Sequence, residues 1–273
     1  MLYYSCRDTD RRVNSVGMKS DIKTIFSDLD STLIFSHRQQ YEAEKVWVES
    51  LNGNLQSFMT RFSYEYFKTQ ENFNVIPVTT RTYRQFSRLL DALSILQWHE
   101  ALICNGAKLL IDGTVDTAWE KESAALSQAD MPAFLELLSV VKKRYPESEL
   151  VIEDPYMFYL KSNDVEKDYH FFKQKADKSH LMIFKDARKV YCIIKCFTKG
   201  KAVERYRERY RVGDYIACGD NELDISMFSD AAVAFCPREL KDFQGTEKCK
   251  ISKDFFPDYI CSELIRLGGS GTV

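Results

Sequence analysis

The chain has 273 residues, 45% of them in the apolar AVILMFWYC set and 29% charged, with only 11 glycines and 6 prolines. That mix belongs to a globular protein large enough to bury a core without disulfides, and it excludes collagen-like, low-complexity and disordered classes. Forty acidic against 38 basic side chains leave a formal net charge of −2, and no long block of one sign marks a nucleic-acid or anionic membrane surface.

The N-terminal segment MLYYSCRDTDRRVNSVGMKSD lacks the apolar run of a secretory signal, and no stretch approaches the ~20 apolar residues of a membrane span. A soluble, cytoplasmic protein is expected. IKTIF (22–26) reads as a short buried strand entering the acidic turn SDLDST, and LQSFMTRFSYEYFKT (55–69) has apolar residues at helical spacing. FNVIPVTT is a second strand, TYRQFSRLLDALSIL (82–96) a helix, and ALICNGA (101–107) a third strand. Strand, helix, strand implies a parallel sheet, whose carboxyl ends are where ligands bind. KLLIDGTVDTA follows as a hairpin around Asp112-Gly113.

From about 118 to 188 the pattern changes to a helix (131–145), the extended ELVIEDPYMFYLKS, a polar helix around 165–177 and a short LMIF, enough for a separate small α+β module. RKVYCIIKC (188–196) resumes strand character, KGKAVERYRERY (199–210) is helical, and DYIACGDNELD repeats the strand-to-acid junction. LDISMFSDA, AAVAF and DYICSELIRL complete the core as helix, strand and helix, and GGSGTV is a tail. The expected fold is α/β, a Rossmann-like parallel-sheet core over 1–115 and 191–273 with an inserted α+β cap over 116–190. The eight cysteines are scattered, with Cys104, Cys192, Cys218 and Cys236 inside apolar runs, so free thiols are expected. Cys192 and Cys196 have no second pair or nearby histidine with which to hold zinc.

Asp28 and Asp30 stand two apart after an apolar strand, and a second acidic junction carries Asp220 and Asp224. Two carboxylate clusters on neighbouring strand ends form the hard-oxygen site that Mg²⁺ prefers. Between them, Thr79 ends a strand, where a hydroxyl and backbone amides can hold a phosphate oxygen, and Lys199 opens a helix, where a cation opposes negative charge. Read singly, each is a solvated turn, a strand-end cap or a surface lysine; in this order at predicted strand ends they point to phosphoryl transfer.

These segments resemble the four motifs of the haloacid dehalogenase superfamily phosphatases, in the branch with a large α/β cap near the Cof-type and sucrose-phosphatase-like members. DLDSTL matches the first motif, VTTRT the second, TKGKA the third and GDNELDISMF the fourth, across residues 22–110 and 188–236. Ser31 stands where the family usually has Gly, and Leu223 where a polar Asn is common, so that Asn221 takes over any contact from that amide.

The resemblance implies an Asp28 nucleophile that forms an aspartyl-phosphate, and an Asp30 acid and base. It implies Mg²⁺ held by Asp28, the Asp30 carbonyl and Asp220, with Asp224 a ligand or orienting the site. Thr79 and Lys199 would cradle the phosphate, with Thr80, Arg81, Asn105 and Asn221 at the substrate. His37 and Arg38 follow motif residues and either reach a substrate or are solvated loop residues, the latter being the reading taken. In the cap, Glu153, Asp154, Tyr156 and Lys161 either read a sugar or form a surface turn around Pro155. The implied activity is Mg²⁺-dependent hydrolysis of a small phosphorylated metabolite, a sugar phosphate first. The alternatives are a phosphomutase of the same fold and a non-catalytic phospho-ligand-binding protein.

Overall fold

A computed structural model describes residues 22–186, 188–237, 240, 249–252 and 255–268. The expected N-terminal lead-in and GGSGTV tail lie outside them. The central sheet is parallel, in the order Cys249–Ile251, Val233–Cys236, Tyr215–Cys218, Thr24–Ser27, Asn74–Pro77. Tyr215–Cys218 and Val233–Cys236 are buried at every position, as strands covered on both faces must be, which is why they read as unbroken apolar runs.

Alternation along the first strand assigns the two faces. Phe26 meets Tyr206 and Tyr215 edge-on at 5.5 and 5.3 Å and shares a cluster with Trp119 and Met227. Ile25 points the other way, into a cluster with Phe67, Val75, Ile260 and Leu264. Glu100–Ile103 extends the layer through one parallel bridge, Val78 to Leu102, and pairs antiparallel with Lys108–Ile111. The expected turn at Asp112-Gly113 is present, with φ of 47° and 75°.

Residues 55–60 are not helical. Lys45–Leu51 and Asn54–Thr60 form an antiparallel hairpin that turns at Asn52 and Gly53, both with positive φ, and the helix begins only at Arg61. The apolar spacing across 55–60 serves cross-strand pairing, with Phe58 opposite both Trp47 and Phe35. The helix expected over 82–96 tightens into a 3₁₀ turn at Ser87–Leu89 between Tyr83–Phe86 and Leu90–Ile95.

Two stretches lie across the boundaries drawn at 116 and 190. Helix Thr117–Leu126 packs on the core sheet's side: Trp119 is fully buried, its Nε1 donates to the Gly106 carbonyl at 3.0 Å, and Ser123 donates to the Ala107 carbonyl at 2.7 Å. Lys189–Ile194, by contrast, belongs to a separate antiparallel sheet in the order Leu181–Asp186, Lys189–Ile194, Met157–Lys161, Leu150–Asp154. One face of that sheet packs on helices Met131–Arg144 and Val165–Lys175, where Phe158 meets Phe134 and Phe172. Its other face carries a row of rings, Phe184, Tyr191 and Tyr159, at centroid spacings of 4.6 and 5.1 Å.

Cys104, Cys192, Cys196, Cys218, Cys236 and Cys261 are free thiols. Among the described residues no single helix is long and apolar enough to cross a membrane. The packing of Trp119 predicts that Trp119→Ala loses about 3–5 kcal/mol in denaturant unfolding, while Leu126→Ala on the exposed side of the same helix stays within about 0.5 kcal/mol of wild type. Equal, small losses would mean that the helix is not part of this core.

Candidate active site

Asp28 follows the first strand at the sheet's carboxyl edge, and its N–H donates to the Cys218 carbonyl at 2.9 Å, fixing one acidic junction beside the other. Lys199 is the first residue of helix Lys199–Tyr210, whose cap is the Thr198 hydroxyl accepting from the Lys201 N–H. The Lys199 ammonium lies 2.5 Å from Asp28 Oδ1 and 2.5 Å from Asp224 Oδ1, and the three residues are 1%, 4% and 0% exposed. The second oxygen of Asp224 accepts the N–H groups of Asp220 and Asn221 at 2.9 and 3.0 Å.

Two glycines permit this closeness. A Cβ on Gly219 would lie 2.2 Å from the Asp224 Cβ, and one on Gly200 would lie 2.2 Å from the Ser226 carbonyl oxygen. The third and fourth motifs are thus one interlocked unit.

Oxygens of Asp28, Asp220 and Asp224 lie within 4.8 Å of one another. Three carboxylates against one ammonium leave two negative charges in a largely dry site. Burial pushes the Asp28 carboxyl well above the usual range; Lys199 opposes this, and Asp224, Asp220 and Asp30 add to it. Burial also raises Asp220, to about 6, with the Asp224 charge next in size. Burial pulls Lys199 down, but Asp224 and Asp28 outweigh it and keep the ammonium protonated. A hard dication fits this donor set in charge and chemistry. Asp28 Oδ2 and Asp220 have lone pairs to offer; the Thr32 hydroxyl donates to them at 3.4 and 3.1 Å, and the Asn221 amide donates to Asp220 at 3.5 Å. Asp224, expected as a ligand or as orienting the site, meets Lys199 with one oxygen and two backbone N–H groups with the other.

Asp30 sits at the mouth with its side chain 53% exposed, held by both arms of the Arg81 guanidinium at 2.7 Å. Arg81 is held in turn by Glu49 at 3.0 Å, and Glu49 also receives Arg88 at 2.8 Å and the Ser57 hydroxyl at 2.6 Å. Sequence reasoning missed Glu49, whose side chain is 2% exposed; the signal was Asn52-Gly53 after an alternating run, a hairpin mark that places Glu49 opposite Ser57.

Thr79 and Asn105 are buried and do not line the cleft. Thr79 is 1% exposed and its hydroxyl accepts the Arg81 N–H at 3.2 Å, so it shapes the turn, while Thr80 and Arg81 line the cleft. Asn105 is also 1% exposed; its N–H donates to the Thr79 carbonyl and its amide to the Phe197 carbonyl, tying the second motif to the segment before Lys199. The backbone holds Cys104, Asn105 and Gly106 at φ of 52°, 58° and 90°. Ser31 has φ of 65°, the left-handed conformation that explains why glycine suits this position.

The cleft has a volume of about 970 Å³. Its core wall includes Asp28, Asp30, Thr80, Arg81, Lys199, Asp220, Asn221 and Leu223, and its other wall Tyr169, Phe184, Lys185, Lys189 and Tyr191. Asn221 supports its own loop by accepting the Leu223 N–H at 2.9 Å. His37 and Arg38 are exposed and do not line the cleft. Nor do Tyr156, which packs on Phe197, or Lys161; the side chains of Glu153 and Asp154 lie outside the described residues. A cleft of about 950 Å³ between helices Arg61–Thr69 and Phe256–Gly268 contains none of this chemistry.

Asp220 gives a signed pH test. Its folded value of about 6 exceeds the unfolded value, so its favourable contribution is fully present below about pH 4 and is lost as pH rises through about 6. In the presence of a chelator, Asp220→Asn should stabilise the protein by about 2 kcal/mol near neutral pH and far less near about pH 4. An identical effect at both would contradict the crowding of charge described here.

No protein-family model matches the chain, and no curated protein matches it. Solved structures do match. The sucrose-phosphatase of Synechocystis sp. PCC6803, solved with sucrose and phosphate, aligns at TM-score 0.60 and 14% identity over 90% of this chain and 97% of its own. A HAD/COF-like hydrolase of Plasmodium vivax aligns at 0.66 and 13% over 92% and 98%. A phosphatase of the haloalkanoate (HAD) superfamily from Bacteroides thetaiotaomicron aligns at 0.54 and 13% over 95% and 99%. At such identities the likeness is one of fold, and the parallel sheet with its added antiparallel layer is the architecture it covers. The chain therefore has the haloacid dehalogenase fold in the form shared by Cof-type hydrolases and sucrose-phosphatase.

Proposed function

We propose that the chain is a Mg²⁺-dependent phosphomonoester hydrolase acting on a small phosphorylated metabolite, with sugar phosphates the first class, through a phosphoryl group carried on Asp28. The observation that supports it most is the buried Asp28–Lys199–Asp224 set beside Asp220, two charges short of neutral, at the carboxyl edge of a parallel sheet. The fold it shares with a sucrose-phosphatase supports the same reading.

Asp28 Oδ2 attacks phosphorus, and the bond to the leaving oxygen breaks as that oxygen takes a proton. Asp30 is the second carboxyl at the mouth and is the group placed to give that proton, then to take one from the water that releases phosphate and restores Asp28. Because Arg81 holds Asp30 in the described conformation, this fork opens as substrate enters. Lys199 fixes the Asp28 carboxylate and opposes the charge of the transferred group. Mg²⁺, held by Asp28, the Asp30 carbonyl and Asp220, would supply the positive charge that lets an anionic nucleophile approach an anionic phosphate. The second sheet closes the cleft from the far side and keeps bulk water from the phosphorylated Asp28.

Phosphate release from p-nitrophenyl phosphate is the test. Asp28→Asn should abolish it while far-UV circular dichroism is unchanged, and Asp220→Ala should raise the Mg²⁺ concentration giving half-maximal rate. Comparable release by wild type and Asp28→Asn would overturn the reading.

A further inference from the structure

Glu49 belongs to none of the four motif segments and does not line the cleft, yet the strand that carries it departs from regularity to bring it in. In Lys45–Leu51 the pairing with Asn54–Thr60 shifts register on both sides of Glu49, and Val48 and Glu49 are buried in succession where a regular strand would alternate. Such an irregularity re-aims a side chain. Here it turns a carboxylate inward, where Oε2 accepts the Ser57 hydroxyl at 2.6 Å and Oε1 meets Arg88 at 2.8 Å.

The same Oε2 accepts from Arg81 Nη2 at 3.0 Å, and that nitrogen also donates to Asp30 Oδ1 at 2.7 Å. One guanidinium thus stands between two carboxylates, Glu49 buried and anchored, Asp30 half-exposed at the mouth. Because Arg81 Nε donates to Asp30 Oδ2 at 2.7 Å, both Asp30 oxygens are engaged. Asp30 can give a proton to a leaving oxygen only after it lets go of Arg81.

That release is limited by what it leaves behind. The Arg81 side chain is 9% exposed, and a guanidinium so dry is strongly destabilised when its last counter-charge departs. With Glu49 in place Arg81 keeps one. Without the Glu49 carboxylate, Asp30 would be the single carboxylate paired with Arg81 among the described residues, and it would stay in the fork. We propose that Glu49 is a positioning residue for the acid step, holding Arg81 in place and charge-matched while Asp30 exchanges the guanidinium for the leaving oxygen. This rests on the phosphatase reading above and names the residue that makes its acid available.

The test measures kcat/KM over aryl phosphates graded from p-nitrophenyl, whose phenolate leaves without a proton, to p-methoxyphenyl, whose phenolate needs one. This parameter reports the transfer to Asp28, so a defect in the acid grows with the basicity of the leaving oxygen. Glu49→Gln should lose at least about tenfold more on p-methoxyphenyl than on p-nitrophenyl phosphate. Glu49→Asp, which keeps the charge but draws it back by one methylene, should fall between that variant and wild type. Asp30→Asn should show the same selective loss, and adding Glu49→Gln to it should change the ratio between the two esters no further. Equal losses on both esters in Glu49→Gln, or a further change of ratio in the double variant, would make Glu49 a residue of structure alone and overturn the proposal. If far-UV circular dichroism shows Glu49→Gln unfolded, Glu49→Asp decides, and a wild-type ratio there overturns the proposal too. These outcomes leave the phosphatase reading intact, whereas a wild type that releases no phenol from any ester would overturn that reading and this assignment with it.

Discussion

A single ammonium sealed between two aspartates holds this molecule's chemistry in place. Lys199, Asp28 and Asp224 come from three separate segments, and all three are buried. Charges out of water are expensive, and such a set persists only where each member is satisfied by the others. That requirement dictates the surroundings: Gly200 and Gly219 where any side chain would push the segments apart, and two backbone N–H groups turned toward Asp224. The arrangement still lacks positive charge, and this shortfall, more than any one residue, supports the proposed binding of a dication and a phosphate.

A second charge system governs the mouth. It runs from Asp30 through Arg81 to Glu49 and Arg88, and it draws on the hairpin Lys45–Leu51 and Asn54–Thr60 inserted between the first two motifs. Glu49 has almost no contact with solvent, so the guanidinium that grips Asp30 is itself gripped from behind. The half-exposed carboxyl at the mouth is thereby oriented by Arg81 of the second motif, which Glu49, outside every motif, holds in place.

Much of the core was legible because its residues obey local rules. Continuous apolar runs marked the parallel strands, acidic turns marked their ends, and Asp112-Gly113 marked a hairpin; Asp28, Lys199, Asp220 and Asp224 do come together. The misses were non-local. Residues 55–60 carry a spacing that serves helix and strand alike, and only their pairing with 45–51 decides between them. No local pattern announced the hydrogen bond from the Asn105 amide to the Phe197 carbonyl, 92 residues along the chain. The wall opposite Asp28 was illegible for the same reason, since Tyr169, Phe184, Lys189 and Tyr191 belong together only once two strands and a helix are packed.

The charge shortfall beside Lys199 is open to direct measurement. Isothermal titration of Mg²⁺ into the protein near neutral pH should show one bound ion per chain, and a folded variant carrying both Asp28→Asn and Asp220→Asn should show none. No heat of binding in the wild type, or the same binding in the double variant, would contradict the assignment of these carboxylates as a dication site.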